Sequence, residues 1–426
     1  MSDDKFDAIV VGAGPAGCAC AYVLAKQGKS VLLLERGNSA GSKNVSGGRL
    51  YTYALELVEP GLYKRAPLQR KIVREQIMML GRNNATTIDY VDYDFGEEVP
   101  QSYSVIRALL DEWFAGEVEA QGATVGSGIL VDDLVEENGK IVGIKAGEDE
   151  MRADVVVAAD GVNSLLGRKA GLFPDVKGHA VGVGVKETIE LPEDVISQRF
   201  ALKQDEGVAR VALGCTEGIS GGAFMYTNKD SISLGIVFNP EQAAKNGRHI
   251  QEIFQDFKTH PAIMALIDGG TTVEYGGHLV PEVGYHGVHK RLHREGMVVV
   301  GDAAQFGINT GVIIRGMDLA IVSGLAAANA ILKAATPAEV GPLYMKQLEE
   351  LLLLPNMRVY ANFHNIFEIS RMFKEYPKLA NEALQFLFKV DGKVPEAMMK
   401  GMMRTLKSNV TFGQMAADAW KAYRSI

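Results

Sequence analysis

Short uninterrupted apolar runs punctuate the first three quarters of the chain. Ala8-Ile9-Val10-Val11 comes first, and a run of that length suits a strand buried on both faces. An Ala-rich stretch then extends to Gln27, with Gly28 placed to stop a helix. Ser30-Val31-Leu32-Leu33-Leu34 forms the next strand pattern and ends at Glu35. Strand, helix and strand in this order predict a βαβ unit, hence a parallel sheet with a right-handed crossover. Val155-Val156-Val157-Ala158-Ala159 and Met297-Val298-Val299-Val300 repeat the buried-strand pattern. Between them, Val181–Val185, Ala223–Tyr226 and Ser231–Val237 are separated by Gly and charged turn residues, which predicts a mixed or antiparallel sheet. From Pro337 the period turns helical, and the Met and Phe positions within Leu353–Lys389 read as helix core.

Composition narrows the class. At about 150 residues per domain, 426 residues imply two or three domains. Hydrophobic residues at 47% and charged residues at 23% exclude a largely disordered chain. A net charge of −8 offers no domain-wide basic surface, so nucleic acid is not an expected partner. No repeat of solenoid or propeller length occurs. The three cysteines fit a reducing compartment rather than a disulfide framework, and Cys18, Cys20 and Cys215 do not make a Cys-ligated zinc or iron–sulfur site. The acidic opening Met-Ser-Asp-Asp is not a secretory signal. The most apolar region, 297–335, is broken by Asp302, Arg315 and Asp318, so no spanning helix is expected, while attachment to a membrane surface stays open. The expected location is the cytoplasm or the inner face of the cytoplasmic membrane.

Glycine is the unusual component: 47 residues of 426, against roughly 7% in ordinary chains. Gly12, Gly14 and Gly17 form GxGxxG between the first strand and the first helix. The first glycine permits the tight turn, the second lets a pyrophosphate approach the backbone, and the third allows close helix–strand packing. The helix N-terminus then offers free N–H groups to phosphate. Glu35 ends the next strand at the place where a carboxylate accepts ribose hydroxyls. Strand, glycines, helix, strand and acid together make a dinucleotide site. Asp160-Gly161 and Gly301-Asp302 each follow a predicted parallel strand, at the sheet edge where ligands bind. Asp302 there suits a polyol hydroxyl, and the ribitol of FAD supplies one where NAD has none. Either acid alone also reads as a turn or helix N-cap residue.

Other motifs carry less. Gly-x-Ser-x-Gly occurs at Gly37–Gly41 and Gly218–Gly222, but neither serine opens a helix as a nucleophile elbow requires. His278, His286, His289 and His293 lie close in sequence without metal-ligand spacing and read as surface or loop residues. Lys64-Arg65, Arg70-Lys71 and Arg74 form a basic segment, read either as a contact for anionic lipid or as a solvated edge. Leu351–Leu354 before Pro355 reads as an apolar lip or a helix end in the core.

Gly12–Gly17, Glu35-Arg36, Asp160-Gly161 and Gly301-Asp302 together resemble the FAD-dependent group that includes aromatic hydroxylases and geranylgeranyl reductases. Lys43-Asn44-Val45-Ser46-Gly47-Gly48-Arg49, Tyr226–Ser231, Val280-Pro281-Glu282 and Arg315–Ala320 resemble, more narrowly, the electron transfer flavoprotein–quinone oxidoreductases and their bacterial FixC branch. The resemblance implies an α/β fold: an FAD-binding Rossmann-type domain of the glutathione-reductase-like, hydroxylase subgroup, an inserted mixed or antiparallel β-sheet domain, and a helical C-terminal region. The expected division is 1–75, 100–177 and 295–340 for the FAD domain, 76–99 and 178–294 for the inserted substrate or quinone domain, and 341–426 for the helices.

The family also implies roles for particular residues. Gly12, Ala13, Gly14, Pro15, Ala16 and Gly17 line the FAD pyrophosphate, Glu35 holds the adenosine ribose, and Arg36 stands beside it. Gly48 and Arg49 bring a loop to the pyrophosphate, Arg107 faces the cofactor, and the Val131 backbone meets adenine. Asp160 and Gly161 border the cofactor, and Gly301 and Asp302 approach the ribitol. Gly307 to Gly311, with Val312, run beside the isoalloxazine, and the helix at Met317 points its N-terminus at the ring. Reduced flavin carries negative charge that such a helix end stabilises. No catalytic acid, base, nucleophile or metal is implied. The implied reaction takes electrons from a two-subunit electron transfer flavoprotein and passes them to a membrane quinone. No cysteine follows Cys215, so an iron–sulfur cluster is expected on a separate ferredoxin-like protein. The alternatives are a flavin-dependent monooxygenase, a geranylgeranyl-reductase-like double-bond reductase, or a flavin-binding subunit without turnover.

Overall fold

The computed structural model describes residues 5–43, 48–174, 178 and 181–426. Four parallel strands build the centre of the first sheet, in the order Met297–Val299, Asp149–Ala158, Phe6–Val11, Val31–Glu35, with Thr124–Ser127 beyond them, also parallel. Register pairs Val10 with Val157 on one side and with Leu33 on the other, and Val157 with Val298. The inner residues of these strands are buried throughout. That is why they read as continuous apolar runs rather than alternating ones. His293–Arg294 closes one edge antiparallel.

One helix, Pro15–Lys26, packs on this sheet, and a second, Met317–Lys333, packs on that helix. Pro15–Lys26 begins on Gly14 with proline at its first position, and Gly28 follows it at φ 76°, as the sequence predicts. Met317–Lys333 is buried along nearly its whole length. It crosses the first helix so closely that a Cβ on Gly324 would stand 2.1 Å from the Ala16 carbonyl oxygen.

The second sheet runs Thr271–Pro281, Val181–Glu190, Ser231–Phe238, Gly221–Thr227, Glu206–Leu213, Lys71–Leu80, Ser102–Val105, Gly48–Tyr51, with Ala85–Val91 also paired to Lys71–Leu80. Neighbours are antiparallel except Glu206–Leu213 beside Lys71–Leu80, so the sheet is mixed. Its reach differs from the segment division above: Gly48–Tyr51, Lys71–Glu75 and Ser102–Val105 belong to it by hydrogen bonding. These strands are short or contain charge, and their pairing is non-local, which periodicity cannot register. One face packs on Ile253, Phe254, Phe257, Ile263 and Ile267 of two short helices. The other face fronts the first sheet's ligand edge. From Pro337 the remaining regular structure is helical.

The basic segment is a correction. Arg70 has no exposed surface and donates to the Asn228, Glu206, Glu193 and Lys229 carbonyls and to Ser197 Oγ. Arg74 pairs with Asp89, Lys71 with Asp205, and Arg65 with Glu117. Arg70 is therefore a core residue and Arg65, Lys71 and Arg74 are paired with the protein's own carboxylates, while Lys64 is exposed.

Candidate functional site

Three strand ends, at Val11, Ala158 and Val299, stop at the same sheet edge. A cavity of about 630 Å³ opens there. Gly12 turns the chain at φ 109°, and a Cβ on it would sit 2.3 Å from the Ala159 carbonyl oxygen; one on Gly17 would sit 1.9 Å from the Gly12 oxygen. Both are required by the turn itself. Gly14 is different: its Cβ would meet nothing nearer than Arg107 Nη2 at 3.8 Å. Among the described residues nothing needs glycine there, so the missing side chain leaves room for a ligand.

Gly12, Gly14, Pro15, Ala16, Glu35, Arg36, Gly48, Arg49, Arg107, Val131, Asp160, Gly161, Gly301 and Asp302 all line this cavity. Ala13 contributes its N–H to Glu35 Oε2 at 3.1 Å, and Gly37 N–H donates to Oε1 at 2.7 Å, which fixes the carboxylate at the strand end. Gly17 serves the packing of the turn. Gly311 and Val312 are not brought to this cavity. The Thr310 N–H donates to the Ile313 carbonyl at 2.9 Å, closing a turn that sends Val312 and Ile313 into a neighbouring space. Of the Lys43–Arg49 stretch, residues 44–47 lie outside the described residues, as do 175–177, 179 and 180 at the predicted segment boundary.

The buried polar atoms argue that a polar ligand belongs here. Asp160 Oδ2 accepts from the Leu166 N–H at 2.9 Å, the capping role the sequence left open, but its buried Oδ1 has no partner among the described residues. His278 Nδ1, also on the cavity wall, is likewise buried without a hydrogen bond among the described residues. Buried polar groups are otherwise nearly always satisfied. Arg107 is held by Asp111 at 2.7 Å and faces Asp302. Burial pushes the Asp302 carboxyl up, opposed by Arg107 and Lys186. Burial lowers Lys186 to about 8 and His278 to about 3, so the imidazole is neutral. Burial raises Glu282 to about 7.

Lys186 and His278 were not assigned to the site by sequence. His278 lies on the strand Thr271–Pro281, not on a loop, and His289 stacks on Phe173 at 3.6 Å. The antiparallel pairing of Val181–Glu190 with Thr271–Pro281, in which Gly184 stands opposite His278, sets that strand in the second sheet, and no local motif encodes it.

A second cavity, about 890 Å³ and mostly apolar, adjoins the first. Arg49, Tyr226, Ile314 and Arg315 line both. The Tyr51 ring stands between the two guanidiniums, 4.8 Å from Arg49 and 5.7 Å from Arg315. Arg315 pairs with buried Asp318 at 2.7 Å and donates to the Tyr53 hydroxyl at 2.8 Å. At the mouth, Val312, Ile313, Leu352 and Leu57 leave apolar side chains exposed. The Gly-x-Ser-x-Gly serines lie in turns, with Ser220 leading into a strand.

Glycine turn, acid-tipped second strand and converging parallel strand ends define an FAD-binding oxidoreductase. Residues 5–217 match the FAD binding domain family, 181–280 the ETF-QO ubiquinone-binding domain, and 363–426 the ETF-QO/FixC family C-terminal domain. The chain is 43% identical over 410 residues to a probable electron transfer flavoprotein-quinone oxidoreductase, YdiS, of Escherichia coli K12, covering 95% of each chain. It is 42% identical to Protein FixC of the same strain over 425 residues, 99% of each. The chain therefore belongs to the ETF-QO/FixC family of FAD-dependent oxidoreductases. The fold is shared with a geranylgeranyl bacteriochlorophyll reductase-like protein from Thermoplasma acidophilum (TM-score 0.70, 20% identity, 95% and 96% coverage) and with the probable FAD-dependent monooxygenase pqsL of Pseudomonas aeruginosa (TM-score 0.60, 17% identity, 88% and 99%).

Proposed function

We propose that this protein accepts electrons from an electron transfer flavoprotein and delivers them to a quinone seated in the apolar cavity. The observation that carries the reading is the adjacency of the two cavities across Arg49, Tyr226, Ile314 and Arg315. A polar cradle suits a dinucleotide, and an apolar chamber beside it suits a quinone ring and tail.

FAD, when bound, supplies storage for two electrons that can enter singly. The chain's own residues would hold and orient it. Gly12, Gly14, Pro15 and Ala16, with the N–H groups of the first helix, would meet the pyrophosphate. Glu35, fixed by two backbone N–H groups, would take the adenosine ribose with Arg36 near it, and Val131 would lie against adenine. Asp302, with Gly301, would accept a ribitol hydroxyl, and Asp160 Oδ1 and Gly161 would border the same chain. Arg107 and Lys186 place positive charge opposite Asp302. The N-terminus of Met317–Lys333 would favour negative charge developing on a neighbouring ring.

The apolar mouth at Val312, Ile313 and Leu352 suits entry of a lipid-borne substrate, and makes contact with a membrane surface part of the reading. Among the described residues no helix is long and apolar enough to cross a membrane. A separate ferredoxin-like protein remains part of the proposal, since no cysteine follows Cys215.

The test is anaerobic mixing of the holoprotein with a reduced electron transfer flavoprotein, then with a short-chain quinone. The flavin absorbance should bleach and then return. Bleaching by NADPH with no response to the flavoprotein would favour a monooxygenase or reductase instead.

A further inference from the structure

Turning a quinone into a quinol takes two electrons and two protons, so the apolar cavity needs a proton source on its wall. Three carboxyls stand near it. Asp318 is tied up by Arg315 and the Tyr53 hydroxyl and does not line the cavity. Glu350 lines the rim but is exposed. Glu75, on the strand Lys71–Leu80, lines the cavity interior.

Glu75 is placed by Arg49. Arg49 Nε donates to Ser102 Oγ at 2.8 Å, and Nη2 lies 2.5 Å from Glu75 Oε1. Nη2 is committed to this carboxyl and holds it at the seam between the cavities. Arg49 is itself buried, at 8% exposure, and borders both cavities. A ligand oxygen at the seam would therefore meet a guanidinium donor and a carboxyl together. Resting on the quinone reading above, we propose that Glu75 delivers a proton to the quinone oxygen as the ring is reduced.

The step balances. The quinone gains two electrons from reduced flavin. The Glu75 O–H bond breaks and a quinone O–H bond forms, leaving a carboxylate beside Arg49. A solvent proton reaching the cavity restores the acid, and the second proton enters in the same way. The environment fits an acid that cycles: burial raises Glu75 above the ordinary carboxylate range while Arg49 opposes the rise. The other groups facing it do not compete. Tyr51 and Tyr226 are pushed up by burial and stay neutral, Tyr90 sits across the strand pair, and Arg315 remains a cation.

The test uses holoprotein, with FAD content as the folding control, and the variants Glu75→Gln and Glu75→Asp. Photoreduced protein is mixed with a short-chain ubiquinone and, separately, with ferricenium, which takes an electron without a proton. Glu75→Gln should slow quinone reduction by about a hundredfold and leave ferricenium reduction unchanged, with Glu75→Asp between. The wild-type quinone rate should fall as pH rises through the Glu75 titration, and Glu75→Gln should lose that limb. Infrared spectra of oxidised protein, without turnover, should show a protonated-carboxyl band that titrates away with pH and is absent from Glu75→Gln. Unchanged quinone rate and pH profile in Glu75→Gln, equal slowing with both acceptors, or no titrating band would overturn the proton role. Wild-type protein that reduces ferricenium but no quinone would instead remove the quinone reading beneath it.

Discussion

Gly14 and Arg70 show how a residue's role depends on what surrounds it. A Cβ on Gly14 would clash with no described protein atom, so Gly14→Ala should fold normally yet bind FAD at least tenfold more weakly, about 1.4 kcal/mol or more. Flavin absorbance per chain, set beside circular dichroism, checks both halves. Arg70 satisfies four carbonyls and a hydroxyl from inside the core. Arg70→Met should cost about 3 kcal/mol of stability in urea unfolding, because the acceptors are left dry. The sequence marked Arg70 only as part of a basic run, since a charge count cannot tell a buried hub from a solvated edge. His278 makes a pH prediction. Its folded value, about 3, lies below the ordinary 6.5 because burial and the nearby cations disfavour its charged form. The unfolded chain thus binds more protons between those values, so stability is present above about pH 6.5 and falls as pH drops towards 3. Apoprotein urea midpoints should decline over that window, and His278→Gln should flatten the decline.

At the scale of elements, the helix Met317–Lys333 matters most, because its first turn borders both cavities, the dinucleotide one through Met317 and Ala320 and the apolar one through Leu319. Its position is set by close contact with the first helix at Gly324 and Ala16. Gly324→Val should cost about 1–3 kcal/mol through overpacking and weaken FAD retention as well, because the helix end must shift. Thermal unfolding and flavin release measured together would show whether the two losses coincide. The βαβ opening and the strands ending at Ala158 and Val299 were legible in the sequence because local apolar runs and glycines encode them. The Gly311–Val312 turn was not. Its direction is set by the backbone bond from Thr310 to Ile313, which residue types alone do not specify.

For the whole molecule, the sequence identified the acids and glycines of the dinucleotide cavity and, in the Leu351–Leu354 lip, part of the rim of the chamber beside it, but not that chamber's walls. That chamber is assembled from Tyr51, Glu75, Tyr226, Arg315 and Leu352, which are far apart in the chain and meet only through non-local pairing and helix packing. Its exposed rim yields a further expectation. Leu352→Asp should impair quinone reduction from lipid vesicles while reduction of a water-soluble quinone stays near wild type, as steady-state assays with each acceptor would show. The central claim is that FAD lies in the glycine-lined cavity and the quinone in its apolar neighbour. A crystal structure of the holoprotein with a short-chain quinone tests it most directly. The account predicts quinone density between Arg49, Tyr51 and Tyr226, with the flavin ring across the Arg49–Arg315 seam. Quinone bound elsewhere, or flavin filling the apolar chamber itself, would contradict it.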